Sequence, residues 1–396
     1  MKILLAAASF SSSISGLQRH AFNLAHALLR QPEIASLHLA IAPWQANLPS
    51  EAGLFPNDRL SIHVAEMKRS SLGRNLWYYR QLPQLAASLG ADLVHLTFPM
   101  PVSAKAFSAP TVVTLHDLYP YEIPANFGFP KFIFNRVALQ RCLHNADAIA
   151  CVSSATTRTL RQYTPAEIWR KAVRIYNCVE AGPPPLVAPA IPGWRNQPFL
   201  LNVAQHRRNK NLPLLIKAFA RLLRLGQIDS SSLLLIVGMQ GPETGRLHRL
   251  ISGLRLEDRI HFLEGVSDAE LQWGYRHCEA LVAPSITEGF GLPVAEALLA
   301  GCRVVCSDIP AFREIGGTHC RYVSLHGDAE AALADAIVAT LRQPPKPPLP
   351  LPQFSSFNIA QEYVSLYRQL IVEYATHRDT SSTPSIRATA PERPSL

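Results

Sequence analysis

The chain has 396 residues, more than one apolar core usually supports, so two domains of ordinary size are expected. Apolar residues make up 48% and charged residues 17%, which excludes a disordered or fibrous chain and fits a globular enzyme. The formal charge of +9 suits an anionic partner, whether a sugar nucleotide, an anionic membrane face or a nucleic acid, and does not choose among them.

The opening run from Met1 to Ser9 carries one lysine and too few apolar residues for a signal-peptide core, so it reads as a buried first strand, Ile3–Ala8. Further apolar runs of strand length follow at Leu37–Ala42, Leu60–Ala65, Leu93–Phe98, Thr111–Leu115, Ala148–Val152 and Val173–Tyr176. They are continuous rather than alternating, the pattern of strands buried on both faces of a parallel sheet. Between the first two, Leu17, Ala21, Leu24, Ala25 and Leu28 fall on one helical face. Residues 1–178 thus form a first domain.

Prolines at 183, 184, 185, 189, 192 and 198 cannot continue a helix or central strand, and mark residues 179–198 as a linker. A second series follows over residues 199–343: Phe199–Ala204, Leu233–Val237, Ile260–Leu263, Ala280–Ala283, Val304–Cys306 and Tyr322–Leu325 as strands, with an amphipathic stretch at Leu212–Leu225. Residues 344–376 read as a proline-rich crossover and a helix carrying Ile359, Tyr363, Leu366, Tyr367 and Leu370 on one stripe. From His377 to Leu396 the chain is Ser, Thr, Pro and Arg with almost no large apolar residue, so a disordered tail is expected. Two consecutive βα series predict an α/β fold of two doubly wound, Rossmann-like domains facing across a cleft. No run approaches the roughly 20 apolar residues of a membrane span, so any membrane contact is peripheral.

The seven cysteines are odd in number and embedded in apolar runs, as reduced core residues of a cytoplasmic protein would be. Cys302 and Cys306 are a close pair, but no second pair or clustered histidines accompany them, so no zinc site is expected.

The chemistry concentrates in Ala283 to Leu298, which follows a buried strand and opens a helix with Pro293 in its first turn. Gly289 and Gly291 let a ligand approach the backbone, and amides at a helix start favour an anion such as a diphosphate. Glu288 in the loop and Glu296 in the helix can both point at one ligand, and a carboxylate binds the paired hydroxyls of a sugar or ribose. After the first strand of the second domain, His206-Arg207-Arg208-Asn209-Lys210-Asn211 supplies cations for a diphosphate leaving group. His116-Asp117 ends a strand at the carboxyl edge, where open α/β sheets bind ligands. Each feature alone has a plainer reading: a stabilised helix start for Glu296, a solvated charge run for the basic string, a turn for the loop at Gly16, a backbone-satisfied strand end for His116.

Taken together, Glu288 to Glu296 resembles the E-x7-E motif of the family 4 glycosyltransferases, retaining enzymes of the GT-B fold. The similarity extends through Gly301 to Ile315, and includes Gly16-Leu17-Gln18-Arg19-His20, His116-Asp117, Ile175-Tyr176-Asn177 and Gly265 to Leu271. The resemblance implies that Glu288 contacts the transferred sugar and Glu296 the ribose. Amides of Phe290, Gly291 and Leu292 would hold sugar and phosphate, and Gly16, Arg208, Lys210, Gly238, Gly289 and Val266 would complete the donor site. Lys210 matches the family lysine; its partner is Arg207 or Arg208, because the usual arginine position is Gln205. His116 would orient donor hydroxyls or the acceptor. No metal or other cofactor is implied. The expected partners are a nucleotide-sugar donor, GDP-mannose preferred and a UDP-sugar second, and a glycan or lipid-linked acceptor at the inner face of the cytoplasmic membrane, with Lys68-Arg69, Arg74, Trp77 to Arg80 and Tyr119 to Phe134 facing it; Trp77 and Tyr78 read equally well as helix core. No nucleic-acid motif is found. The rival readings are an epimerase or hydrolase of the same fold and a non-catalytic basic binding protein.

Overall fold

The structure is a computed structural model that describes residues 1–124, 129, 131–180, 187–191 and 194–381, without the side chains of 104, 131 and 377–381. The expected linker therefore lies partly, and the tail from residue 382 wholly, outside the described residues.

The apolar runs are the strands. β1 (Lys2–Ala6), β2 (Ser36–Ile41), β3 (Leu60–Val64), β4 (Leu93–Leu96), β5 (Thr111–Leu115), β6 (Ala148–Cys151) and β7 (Ala172–Arg174) form a parallel sheet of seven strands in the order β3-β2-β1-β4-β5-β6-β7. β8 (Phe199–Val203), β9 (Leu233–Val237), β10 (Ile260–Leu263), β11 (Ala280–Ala283), β12 (Val304–Ser307) and β13 (Arg321–Val323) form a second parallel sheet in the order β10-β9-β8-β11-β12-β13. The winding reverses between β1 and β4 in one sheet and between β8 and β11 in the other. Those two reversals open the crevices in which doubly wound sheets hold ligands.

The helices used below are α1 (Gly16–Leu29), α2 (Ser71–Leu76), α3 (Lys131–Asn145), α4 (Ser154–Tyr163), α5 (Leu212–Arg224), α6 (Asp268–His277), α7 (Leu292–Leu299), α8 (Pro310–Gly316) and α9 (Ser356–Ser381). Helix α2 runs on into a π turn, Trp77–Gln81, which the sequence pattern does not announce. Trp77 and Tyr78, open between an acceptor-facing and a helix-core reading, take the second: they are buried with Leu82 and Phe98, and the Tyr78 hydroxyl donates to the Ala8 carbonyl at 3.1 Å. Apolar burial outcompetes exposure for rings of this size.

Helix α9 returns from the second domain to the first. Ile359, Tyr363, Leu366, Tyr367 and Leu370 pack into the cluster of Ile3, Leu5, Leu24 and Leu28, as the stripe predicts. The helix also continues to Ser381, so residues 377–381 are helical in backbone rather than part of a tail; nothing before Pro384 interrupts a helix. Its two buried tyrosines serve a polar network in the first sheet. Tyr367 Oη lies 2.5 Å from His95 Nδ1, His95 Nε2 lies 2.8 Å from Thr114 Oγ1, and Tyr363 Oη lies 3.3 Å from the same hydroxyl. Burial holds His95 neutral, its pKa lowered to about 3.

Tyr367→Phe strips His95 Nδ1 of its partner in a dry site and is expected to cost about 1–3 kcal/mol. Chemical denaturation of the variant measures this, and an unchanged midpoint contradicts it.

Candidate functional site

Both sheets aim their reversal points at one cleft, and the predicted residues sit on the loops around it. Gly16 begins α1 after β1, His116 and Asp117 follow β5, Arg207 to Lys210 follow β8, and Glu288 follows β11. The carboxyl-edge geometry arises from the parallel pairing, which sets every β-to-α loop of a sheet on the same side.

Lys210 and Glu288 meet. Lys210 Nζ lies 2.6 Å from Glu288 Oε1, and the two side chains are 19% and 10% exposed, so the pair is shielded from water. Ser285 Oγ donates to the same oxygen at 2.7 Å, and Tyr119 Oη reaches Oε2 at 3.4 Å from the other domain. Asn209 Nδ2 donates to Tyr119 Oη at 3.1 Å, and the Ile286 amide donates to the Asn209 carbonyl at 2.7 Å, which ties the basic loop to the carboxylate loop. Glu122 Oε1 accepts from Thr287 Oγ1 at 3.0 Å. Sequence reasoning missed Ser285, Tyr119, Asn209 and Glu122 as partners, because three of the four contacts cross 90 to 169 residues.

The two candidate arginines differ. Arg208 is exposed, whereas Arg207 is half-buried and its field reaches Asp117 and Tyr119. Arg207 Nε is buried with no hydrogen-bond partner among the described residues. An unpaired buried donor is costly in a folded protein, and a ligand anion is the kind of group that would satisfy it.

Glu296 stands on the second turn of α7, where Tyr275 Oη donates to its Oε2 at 2.7 Å. Burial raises its pKa, and Arg19 and the Tyr275 hydrogen bond oppose that rise. Arg19 comes from α1 of the first domain and binds Asp268 Oδ1 at 2.5 Å, so the N-terminal turn of α6 and the Glu296 carboxylate share one cation across the cleft.

His116 Nε2 lies 2.9 Å from the Thr97 carbonyl, so that nitrogen carries the proton and Nδ1 is left as an acceptor. Burial lowers the His116 pKa to about 4, which keeps the ring neutral near pH 7. The ring of His20 stands edge-on at 4.7 Å. Asp117 is raised to about 6, chiefly by burial, with the Glu122 and Glu288 carboxylates adding to the rise and Arg207 and the Tyr119 amide opposing it.

The glycines divide. A Cβ on Gly16 would meet nothing within 4 Å, so protein packing does not call for that glycine and its face is open to a ligand. A Cβ on Gly289 would stand 1.6 Å from the His116 carbonyl oxygen, and the Gly289 carbonyl accepts from Ser153 Oγ at 2.5 Å and Thr156 Oγ1 at 3.1 Å. Gly291, with φ +100°, starts α7 against the Phe312 ring. Gly238, at φ +153° and with a Cβ position 2.2 Å from the Ala204 carbonyl oxygen, is accounted for by backbone packing. The Phe290 ring is buried against Tyr176 and Phe354, and Leu292 is partly buried beside it. Val266 lines an open cavity of about 530 Å³ along edge strand β10 with Glu264 and Glu270.

A second hydrogen-bonded seam closes the cleft. Glu314 of α8 accepts from the Ser154 and Ala155 amides at 2.7 and 3.0 Å, capping α4 of the other domain.

Known proteins with similar sequence or shape agree with this layout. The profile of the family described as Glycosyltransferase Family 4 matches residues 14–182, and that described as Glycosyl transferases group 1 matches residues 189–348. The chain is 29% identical over 215 residues to the O-antigen chain mannosyltransferase RfbU of Salmonella typhimurium, covering 54% of this chain and 56% of the relative. It is 26% identical over 275 residues to the serotype-specific mannosyltransferase WbdA of Escherichia coli, covering 63% and 32%. The chain thus spans about half the length of the first of these relatives and a third of the second. In shape it resembles Anabaena HepE, solved with UDP and glucose, at a TM-score of 0.63 and 19% identity, covering 96% of this chain and 99% of that one. It also resembles WaaG, a glycosyltransferase of lipopolysaccharide biosynthesis, at a TM-score of 0.61 and 17% identity, covering 95% and 99%. With a glycosyltransferase profile matched to each domain and the two doubly wound sheets facing across the cleft, the chain belongs to glycosyltransferase family 4.

Proposed function

We propose that the chain transfers a hexose from a nucleotide-diphosphate sugar to a glycan or lipid-linked glycan, with retention at the anomeric carbon and without a bound metal, in cell-surface polysaccharide or lipopolysaccharide assembly. The observation that carries this reading is the shielded Lys210–Glu288 pair at the reversal of the second sheet. GDP-mannose is the preferred donor, supported by the mannosyltransferase names of the relatives RfbU and WbdA. Peripheral contact with an anionic membrane face belongs to the same reading.

Glu288 faces the transferred sugar and Glu296 the ribose, whose hydroxyls donate to these carboxylates. Lys210 and Arg207 supply positive charge where the leaving diphosphate gains negative charge, and amides at the start of α7 add theirs. The C1–O bond to phosphate breaks as the acceptor oxygen bonds to C1 on the same face, and the acceptor proton passes to the departing phosphate oxygen. Neutral His116 contributes an acceptor nitrogen for a hydroxyl, and Tyr275 and Arg19 hold Glu296 in place.

Glu288→Gln keeps the size of the side chain and removes its charge; turnover is expected to fall about 100-fold or more, with circular dichroism showing the chain still folded at the assay temperature. Arg207→Ala is expected to lower kcat/KM about 100-fold and Arg208→Ala only a few-fold, and the reverse order would assign the phosphate contact to Arg208. Transfer is expected to persist in excess chelator; loss restored by manganese or magnesium contradicts the metal-independent reading.

Asp117 gives a pH signature. Its folded pKa of about 6 lies above the ordinary 3.8, so its contribution to stability is full at low pH and is lost as pH rises through the window between those values. Asp117→Asn should therefore gain stability over the parent at pH 7.5, by about 2–3 kcal/mol, and little at pH 4. Equal differences at the two pH values would contradict the buried-carboxyl account.

A further inference from the structure

Cys302 stands closest in sequence to Cys306, but folding gives it another neighbour: its Sγ lies 3.2 Å from Cys278 Sγ, 24 residues away. The two thiols sit at the ends of the carboxylate segment. Cys278 caps the end of α6, one turn after Tyr275, and Cys302 follows α7, so the stretch between them holds β11, Ser285, Glu288 and Glu296.

Contacts of the next residues already clamp these two points of the chain. Arg303 donates from Nε to the Glu279 carbonyl and from Nη2 to the Glu279 carboxylate, both at 2.8 Å. On the Cys302 side the backbone has little room: a Cβ on Gly301 would stand 2.8 Å from the Lys346 carbonyl oxygen, and Arg303 Nη1 holds the Gln343 carbonyl at 2.8 Å. On the other side the chain is the last turn of a helix, where Cys278 Sγ donates to the Tyr275 carbonyl at 3.6 Å.

Two sulfurs held this way reach the bonding distance of about 2 Å with a small movement, and the end of α6 is the part able to supply it. Cys302 also borders a cavity of about 270 Å³ with Gly301, His319 and Lys346, which admits a small oxidant. Burial, and then the Cys302 thiol beside it, push the Cys278 thiol well above its usual range, so it keeps its proton and reacts second.

We propose that Cys302 and Cys278 are a modification site at which hydrogen peroxide forms a reversible disulfide, joining the ends of the carboxylate segment and loosening the Tyr275 hold on Glu296. The Cys302 thiolate attacks one peroxide oxygen, the O–O bond breaks and hydroxide leaves, giving a sulfenic acid. The Cys278 sulfur then attacks Cys302 Sγ, the S–O bond breaks, and the departing hydroxide takes the Cys278 proton as water. Two electrons pass from the thiols to the peroxide, and a dithiol reverses the bond by exchange. The movement falls on the turn of α6 that carries Tyr275, whose hydroxyl donates to Glu296 at 2.7 Å. That the loosened carboxylate holds a ribose rests on the transferase reading; the disulfide does not.

The test is treatment of the reduced full chain with hydrogen peroxide, for the parent, Cys278→Ser and Cys302→Ser. It is read by non-reducing peptide mapping, by hydrogen exchange and by transfer from GDP-mannose. The map of the parent is expected to show a Cys278–Cys302 bond that dithiothreitol removes. Exchange at His277 and Cys278, in the last turn of α6, is expected to quicken about five-fold, and the KM for GDP-mannose to rise about five-fold with kcat little changed. Dithiothreitol is expected to restore the parent, and neither serine variant is expected to respond. No Cys278–Cys302 bond in the parent, or a bond between Cys306 and Cys320 alone, overturns the site. A Cys278–Cys302 bond that leaves exchange in α6 unchanged, or an equal response in the serine variants, overturns its action on Tyr275. Mapping and exchange need no turnover, so failure of the site and failure of the transferase reading are separate results.

Discussion

The backbone of Gly289 lies against the end of β5, where a Cβ would stand 1.6 Å from the His116 carbonyl oxygen. Ser153 and Thr156 hold the Gly289 carbonyl from the first domain, and Glu314 returns the arrangement by capping α4 from the second. Contact of backbone on backbone leaves no side chain to yield, so it sets how close the two sheets' loops come. Glu288 is the preceding residue, and its direction into the cleft follows from that constraint. Any residue larger than glycine at 289 would part the domains and take the carboxylate away from Tyr119.

Charge is distributed across the same boundary. The second domain brings Glu288 with Lys210 and Glu296 with Tyr275, while the first brings Arg19, Asp117, Tyr119 and neutral His116. Neither domain alone balances its buried charges: Arg19 has its carboxylates in the other half, and Arg207 faces Asp117 across the cleft. Buried ionic groups are costly without partners, so this division favours the closed arrangement of the domains. Helix α9 adds a covalent return, packing on β1 and α1 and placing two tyrosine hydroxyls on the network of His95 and Thr114.

The sheets were legible in the sequence because parallel strands buried on both faces leave continuous apolar runs, and every expected run became a strand to within a few residues at its ends. The carboxylate loop was legible on different grounds: Gly289, Gly291 and Pro293 combine close backbone approach with a helix start, and two glutamates flank them at a spacing that turns both toward that start. Side-chain direction was not legible. Trp77 and Tyr78 read equally well as exposed or buried until the π turn placed them inward, leaving Leu72, Leu76 and Tyr79 outside. The choice between Arg207 and Arg208 likewise depends on which way one short turn faces. The partners Ser285, Tyr119, Tyr275 and Glu314 gave no signal, since common residue types acquire meaning only from contacts far along the chain.

The central claim is that one sugar nucleotide bridges the loop before α7, the basic loop after β8 and the start of α1. Hydrogen–deuterium exchange with and without GDP-mannose or a UDP-sugar tests it directly. The account predicts slowed exchange at Phe290 to Leu292, at Gln205 to Lys210 and at Gly16 together, with at least one of the two donors. Protection by neither, or protection confined to one domain, would contradict it.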